Sequence, residues 1–187
     1  MRTHQICATL AILVVATYTA CADHHEVDSP STPKIGHQTL LREVGTWDAE
    51  TKTWIDPDAP PVISRGVEIN QMLGEYWVVG VYESELFGKP FRGQSQVGYD
   101  PAKKKFIGTW IDSMSPALNR LEGTMKDNSL TMFATGVDPK TGEEKTTKMI
   151  STYPDAMHKT FAAFEPIAGK EDEWRKTMEV VYTKRAE

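Results

Sequence analysis

Cysteine is nearly absent from this chain. Of 187 residues only Cys7 and Cys21 are cysteines, both near the N-terminus, so a disulfide-stapled fold is excluded. A basic excess is absent too. The formal net charge is −5, and Lys103-Lys104-Lys105 is the only basic run; it follows the turn sequence Gly98-Tyr99-Asp100-Pro101 and reads as a solvated hairpin flank. No nucleic-acid partner is expected, because such proteins carry a basic stripe. Long apolar runs are missing: Ile6 to Ala16 falls short of the roughly 20 residues that span a bilayer. The strong catalytic signatures are also missing. Gly93-Gln-Ser-Gln-Val-Gly98 has the wrong spacing for a nucleophile elbow, and there is no phosphate loop, dinucleotide fingerprint, His-Glu-x-x-His or Cys-x-x-Cys.

What is present begins with an address. Arg2, the apolar stretch and the small residues after it form a secretory signal over residues 1–21. Two processing readings stand. Ala20-Cys21-Ala22 fits cleavage before Asp23, and Thr19-Ala20-Cys21 fits a bacterial lipobox with Cys21 lipidated, although Tyr18 replaces the usual Leu. A lone mature cysteine at the cleavage zone favours the lipid anchor. That places the protein in the periplasm or cell envelope, touching a membrane through its anchor only. Residues 22–34 are too polar to bury a core and read as a tether. His24-His25-Glu26 falls in that tether, so no metal site is expected.

Residues 35–187 form the domain. His37 to Val44 reads as a turn or two of helix. Gly45-Thr46-Trp47 then opens a strand in which Trp47, Ala49, Thr51 and Thr53 share one face and Asp48, Glu50 and Lys52 the other. A glycine and an indole at that junction point to a barrel closed by a helix and plugged by the tryptophan. Further strands are expected at Ser64–Met72, Tyr76–Leu86, Phe91–Tyr99, Lys105–Asp112, Leu118–Met125, Ser129–Thr135, Glu144–Thr152, His158–Glu165 and Trp174–Thr183. Turn sequences separate them, including Gly88-Lys89-Pro90 and three Asp-Pro pairs. About ten strands on hairpin-length loops predict an all-β, up-and-down antiparallel barrel with a short N-terminal lid helix. An open sandwich is the alternative.

The pattern His37-Gln38-x-Leu40, Gly45-Thr46-Trp47, Gly74, Gly88-x-Pro90-Phe91-x-Gly93, Gly98-Tyr99-Asp100-Pro101, Gly108-Thr109-Trp110, Glu122-Gly123 and Met178-Glu179-x-x-Tyr182 resembles the DUF1579 family of uncharacterised bacterial proteins. The resemblance covers roughly residues 36–185 and implies a calycin-type, lipocalin-like barrel. In such barrels a basic residue near the end of the last strand covers the indole of the first. Here that implies a structural role for Gly45 and Trp47, with Arg185, or Lys184, as the cover.

Strand parity supplies the candidate site. If Trp110 points inward, so does Asp112, and an inward carboxylate needs a partner or a ligand. Trp77 and Glu83 share a face, as do Gly93, Ser95 and Tyr99. Trp77, Tyr99 and Trp110 are therefore expected as walls of a lumen for a small, partly apolar ligand, with Asp112 as polar anchor. Trp54, Met114, Phe161 and Met178 are further lining candidates. An acid/base enzyme using Asp112 with Glu83 or Glu122 is the alternative, and a structural envelope protein is a third. No cofactor is expected; a haem held by His158, as in nitrobindin-like barrels, is the alternative.

Overall fold

The structure, a computed structural model, describes residues 35–139 and 141–186. The signal segment, Cys21, the histidine pair and the tether lie outside the described residues. A helix α1 (Ile35–Leu40) runs into a single 3₁₀ turn (Leu41–Glu43). Ten strands follow: β1 (Gly45–Thr53), β2 (Val62–Leu73), β3 (Trp77–Leu86), β4 (Lys89–Asp100), β5 (Lys105–Asp112), β6 (Ser115–Lys126), β7 (Ser129–Val137), β8 (Glu144–Thr152), β9 (His158–Pro166) and β10 (Trp174–Lys184). Each strand pairs antiparallel with its chain neighbours, and β1 pairs with β10, so the sheet is a closed up-and-down barrel. Closure leaves no exposed sheet edge to recruit another chain.

The turn chemistry explains the connections. Asp100 Oδ1 accepts the backbone N–H of Ala102 and Lys103, and Asp56 Oδ1 that of Asp58. These are the local aspartate turns expected of the Asp-Pro pairs. The hairpin between β3 and β4 differs from expectation. Phe87 and Gly88 both have positive φ, a two-residue turn that matches strand twist. Lys89 and Pro90 therefore lie in β4, paired with Leu86 and Glu85.

The start of β1, the end of β2 and the end of β10 meet at the end of the barrel covered by α1. There Leu40, Val78, Phe106, Leu121, Leu130, Met132 and Tyr153 form one buried cluster. Trp47, Ala49, Val180 and Tyr182 form a second. Trp47 is 1% exposed, and its Nε1 donates to the Glu43 carbonyl at 2.8 Å. Gly45 has φ +128°, and a Cβ there would collide with the Lys184 side chain. The glycine thus lets Lys184 cross β1 and bring its Nζ to 5.3 Å from the Trp47 ring centre. Arg185 does not cover the indole. Its backbone N–H bonds Thr46, and its guanidinium turns outward to Asp48 at 2.7 Å. Strand alternation accounts for this, since Tyr182 and Lys184 face inward and the next position cannot.

Gly123 sits opposite Met132, and a Cβ there would press on the Thr131 carbonyl, a backbone atom with no freedom to yield. Gly123→Ala is expected to lower the unfolding free energy by about 1–3 kcal/mol, while Thr124→Ala, on the exposed face, stays within about 0.5 kcal/mol. Urea denaturation of the two variants checks the contrast.

Candidate functional site

The lumen has two halves of different character. In the closed half an ion cluster sits beneath the lid. Lys159, on β9, is 4% exposed. Its ammonium donates to Glu43 Oε2 at 2.5 Å and to Glu68 Oε1 at 2.6 Å. Its Nζ also lies 4.7 Å from the Trp47 ring centre and 4.5 Å from that of Tyr182, close enough for cation–π attraction. Asn70 donates to Glu68 and to the Glu43 carbonyl, and the Tyr153 hydroxyl donates to Glu43 Oε1. Burial pushes the Glu43 carboxyl up, but the charge and hydrogen bond of Lys159, with the Tyr153 hydroxyl, outweigh it and hold the pKa below the usual carboxylate range. Burial disfavours the Lys159 ammonium as well, yet the two carboxylates raise its pKa. Burial and Glu43 push Tyr153 well up, and burial with Glu68 does the same to Tyr182, so both phenols keep their protons. The cluster ties the 3₁₀ turn to β2, β9 and the chain between β8 and β9.

Toward the mouth several inward side chains are only half-buried, namely Tyr82, Phe91, Ser95, Trp110, Asn119, Phe161 and Met178, although Thr51 and Ala163 beside them are buried. Two of the rings lie flat on the wall over glycines. A Cβ at Gly66 would meet the Tyr82 phenol, and one at Gly93 would meet the Trp110 indole. Hydrogen bonds hold both rings there. The Tyr82 and Thr51 hydroxyls are 2.9 Å apart, and Trp110 Nε1 donates to Asp112 Oδ2 at 3.0 Å.

The candidate residues distribute as follows. Trp110 faces the lumen. Asp112 lies at its rim, where its second oxygen accepts the Met114 N–H; both oxygens are engaged, so Asp112 positions the indole and is not a free anchor. Tyr99 belongs to the closed end, edge-on to Phe106 at 5.1 Å and to the buried His37 at 5.7 Å. Trp77 and Glu83 do share a face, but it is the outer one. Trp77 covers Gly98 from outside, and Glu83 pairs with Arg92 at 3.4 Å. Glu122 also points outward, to Lys105, which lowers its pKa. The proposed carboxylate pairs with Asp112 are therefore not assembled. His158 is exposed at the start of β9, its Nδ1 2.9 Å from Asp155, so its ring does not enter the lumen as a haem ligand would have to. Met114 is exposed at a hairpin tip, and Trp54 borders a cleft at the mouth. Among the described residues no three His, Cys, Asp or Glu side chains gather as a metal site requires.

Sequence reasoning missed Glu43, Glu68, Asn70, Tyr153 and Lys159. Lys159 shares parity with Phe161 and Ala163, which was the available signal.

Fold and interior together define a closed ten-stranded antiparallel barrel, plugged at one end by a short helix. The chain belongs to the family described as "Protein of unknown function (DUF1579)", whose sequence profile matches residues 32–184. No curated protein matches it. Among solved structures it is similar to Rv2717c from M. tuberculosis, with a TM-score of 0.61 and 11% identity, covering 83% of this chain and 100% of that one. It also matches a redesigned β-barrel, with a TM-score of 0.43 and 12% identity, over 81% and 96% of the two chains. At such identities the first likeness shows the fold alone.

Removing one partner of a buried ion cluster leaves charge uncompensated. Lys159→Met is expected to destabilise the protein by about 3–5 kcal/mol. Because the native pKa of Glu43 lies below its ordinary 4.5, the unfolded chain takes up that proton first on acidification. The contribution of Glu43 is full above pH 4.5 and falls away as pH drops through the lower native value. Glu43→Gln should flatten that acid limb, as measured by denaturation at a series of pH values.

Proposed function

We propose that the protein is an exported, lipid-anchored barrel that binds a small, partly apolar molecule in the open half of its lumen. The observation that carries this reading is the placement of Tyr82 and Trp110. Large rings in a filled core point at its centre. Here Gly66 and Gly93 vacate the wall, the rings lie against it, and hydrogen bonds to Thr51 and Asp112 keep them there. The result is a preorganised aromatic lining with half-buried polar groups, Ser95 and Asn119, among it. Ligand pockets combine apolar walls with a few placed polar groups in this way. Preorganisation spares the ligand the entropy of ordering those rings. The export and anchor reading is supported by Arg2, the apolar stretch, Cys21 and the polar tether in the sequence.

The acid/base alternative has less support. The inward carboxylate at the rim is occupied, and those in the closed half are locked to Lys159.

N-phenyl-1-naphthylamine, a neutral apolar dye, tests the binding reading. Its fluorescence should rise saturably on addition of the purified domain. Ser95→Phe, which places a ring in the lumen, should weaken that binding at least about ten-fold, since each 1.4 kcal/mol is a factor of ten. A dye that fails to bind, or binds Ser95→Phe equally well, contradicts the reading. For the anchor, Cys21→Ala should move the full chain from the membrane to the soluble fraction of its cells.

A further inference from the structure

The mouth of the barrel holds a feature that the lumen reading does not use. Between the loop after β1 and the start of β10 lies a cleft of about 340 Å³. Trp54, Ile55 and Pro57 bound one side, and Arg175 and Met178 bound the other. Thr53 and Met178 face each other across β1 and β10, and Met178 packs on the inward cluster around Trp47. The cleft therefore opens from the rim of the lumen.

Its polar groups divide sharply. The carboxylates nearby are already neutralised: Glu165 by Lys145 at 2.6 Å, and Glu179 by Lys176 at 2.6 Å and Lys52 at 3.8 Å. Arg175 makes no ion pair or hydrogen bond among the described residues, although Glu165 stands opposite it in the ladder. The Trp54 indole N–H likewise makes no hydrogen bond among the described residues. Thr53 Oγ1 is buried with no partner, alone in this among the described side chains. A buried hydroxyl without a partner is costly and calls for an explanation. The cleft is thus lined by an arginine with no ion-pair partner, by Trp54, and by Thr53, whose hydroxyl lies buried behind its wall.

We propose that this cleft is the headgroup subsite for the lumen ligand, and that the ligand class is an amphipathic monoanion: a carboxylate or sulfonate on an apolar body. The inference rests on the lumen-binding reading above. The guanidinium fork matches two oxygens of such a group. The apolar body follows Met178 inward toward Phe161 and Tyr82. An unpaired cation at the mouth also offsets locally the repulsion that a net charge of −5 exerts on an incoming anion.

Two dyes of the same hydrocarbon frame test this. 8-Anilinonaphthalene-1-sulfonate carries the anion, and N-phenyl-1-naphthylamine lacks it. Titration of wild type, Arg175→Gln and Arg185→Gln with each gives a ratio of sulfonate-dye to neutral-dye affinity. Arg175→Gln should lower that ratio about ten-fold, the scale of a lost charge-assisted hydrogen-bond pair. Arg185→Gln, whose guanidinium is engaged by Asp48 on the outer face, should leave it unchanged. If the neutral dye binds but Arg175→Gln does not alter the ratio, or Arg185→Gln alters it equally, the headgroup subsite is overturned and the lumen reading survives. If neither dye binds the wild type, both fall.

Discussion

One ammonium group organises the closed end of this barrel. Lys159 sits between Glu43 from the turn before β1 and Glu68 from β2, with the rings of Trp47 and Tyr182 against it. A buried ion pair is weak evidence of stability, because desolvation offsets much of its attraction. Its stronger consequence is specificity. Pairing with Lys159 neutralises Glu43, and that contact holds the 3₁₀ turn over the barrel floor. Trp47 then donates to the Glu43 carbonyl, Gly45 admits Lys184 over the indole, and β10 closes on β1 in a single register.

That arrangement divides the interior by task. The floor holds the apolar cluster of Leu40, Val78, Phe106, Leu121 and Met132, and an ion cluster seated against Trp47, Tyr182 and Tyr153. With stability concentrated there, the other half is free to keep its side chains on the wall. Glycines serve both halves differently. Near the floor Gly123 allows β6 and β7 to approach closely; toward the mouth Gly66 and Gly93 give up wall space to aromatic rings. Asp112 illustrates the same economy of position: a carboxylate at the rim spends both oxygens on holding Trp110 and turning the hairpin. The likeness to Rv2717c reaches this architecture and no further, so any ligand must be argued from the lining itself.

Much of the fold was legible because turn residues punctuate the chain at short intervals. The faces of β1 could be read directly, since polar residues alternate cleanly with Trp47, Ala49 and Thr51. In β3 the same logic gave a correct parity and a wrong side. Trp77, Val79 and Val81 alternate with Val78, Gly80 and Tyr82, so both faces look apolar, and only the closed barrel shows that Trp77 and Glu83 lie outside. The ion cluster was hidden for another reason. Lys159 finds its partners 116 and 91 residues away in sequence, a distance over which parity carries no information about who meets whom. Of the two basic residues expected over the indole, Lys184 takes the place and Arg185 turns outward, because one position on a strand is a change of face.

The central claim is that the floor is filled and the mouth half is open to a ligand. Intermolecular nuclear Overhauser effects between bound N-phenyl-1-naphthylamine and methyl-labelled protein test it directly. The account predicts contacts to the methyl of Met178 and none to those of Leu130 and Met132. Contacts confined to Leu130 and Met132, or to the outward Ile69 and Val181, would contradict it.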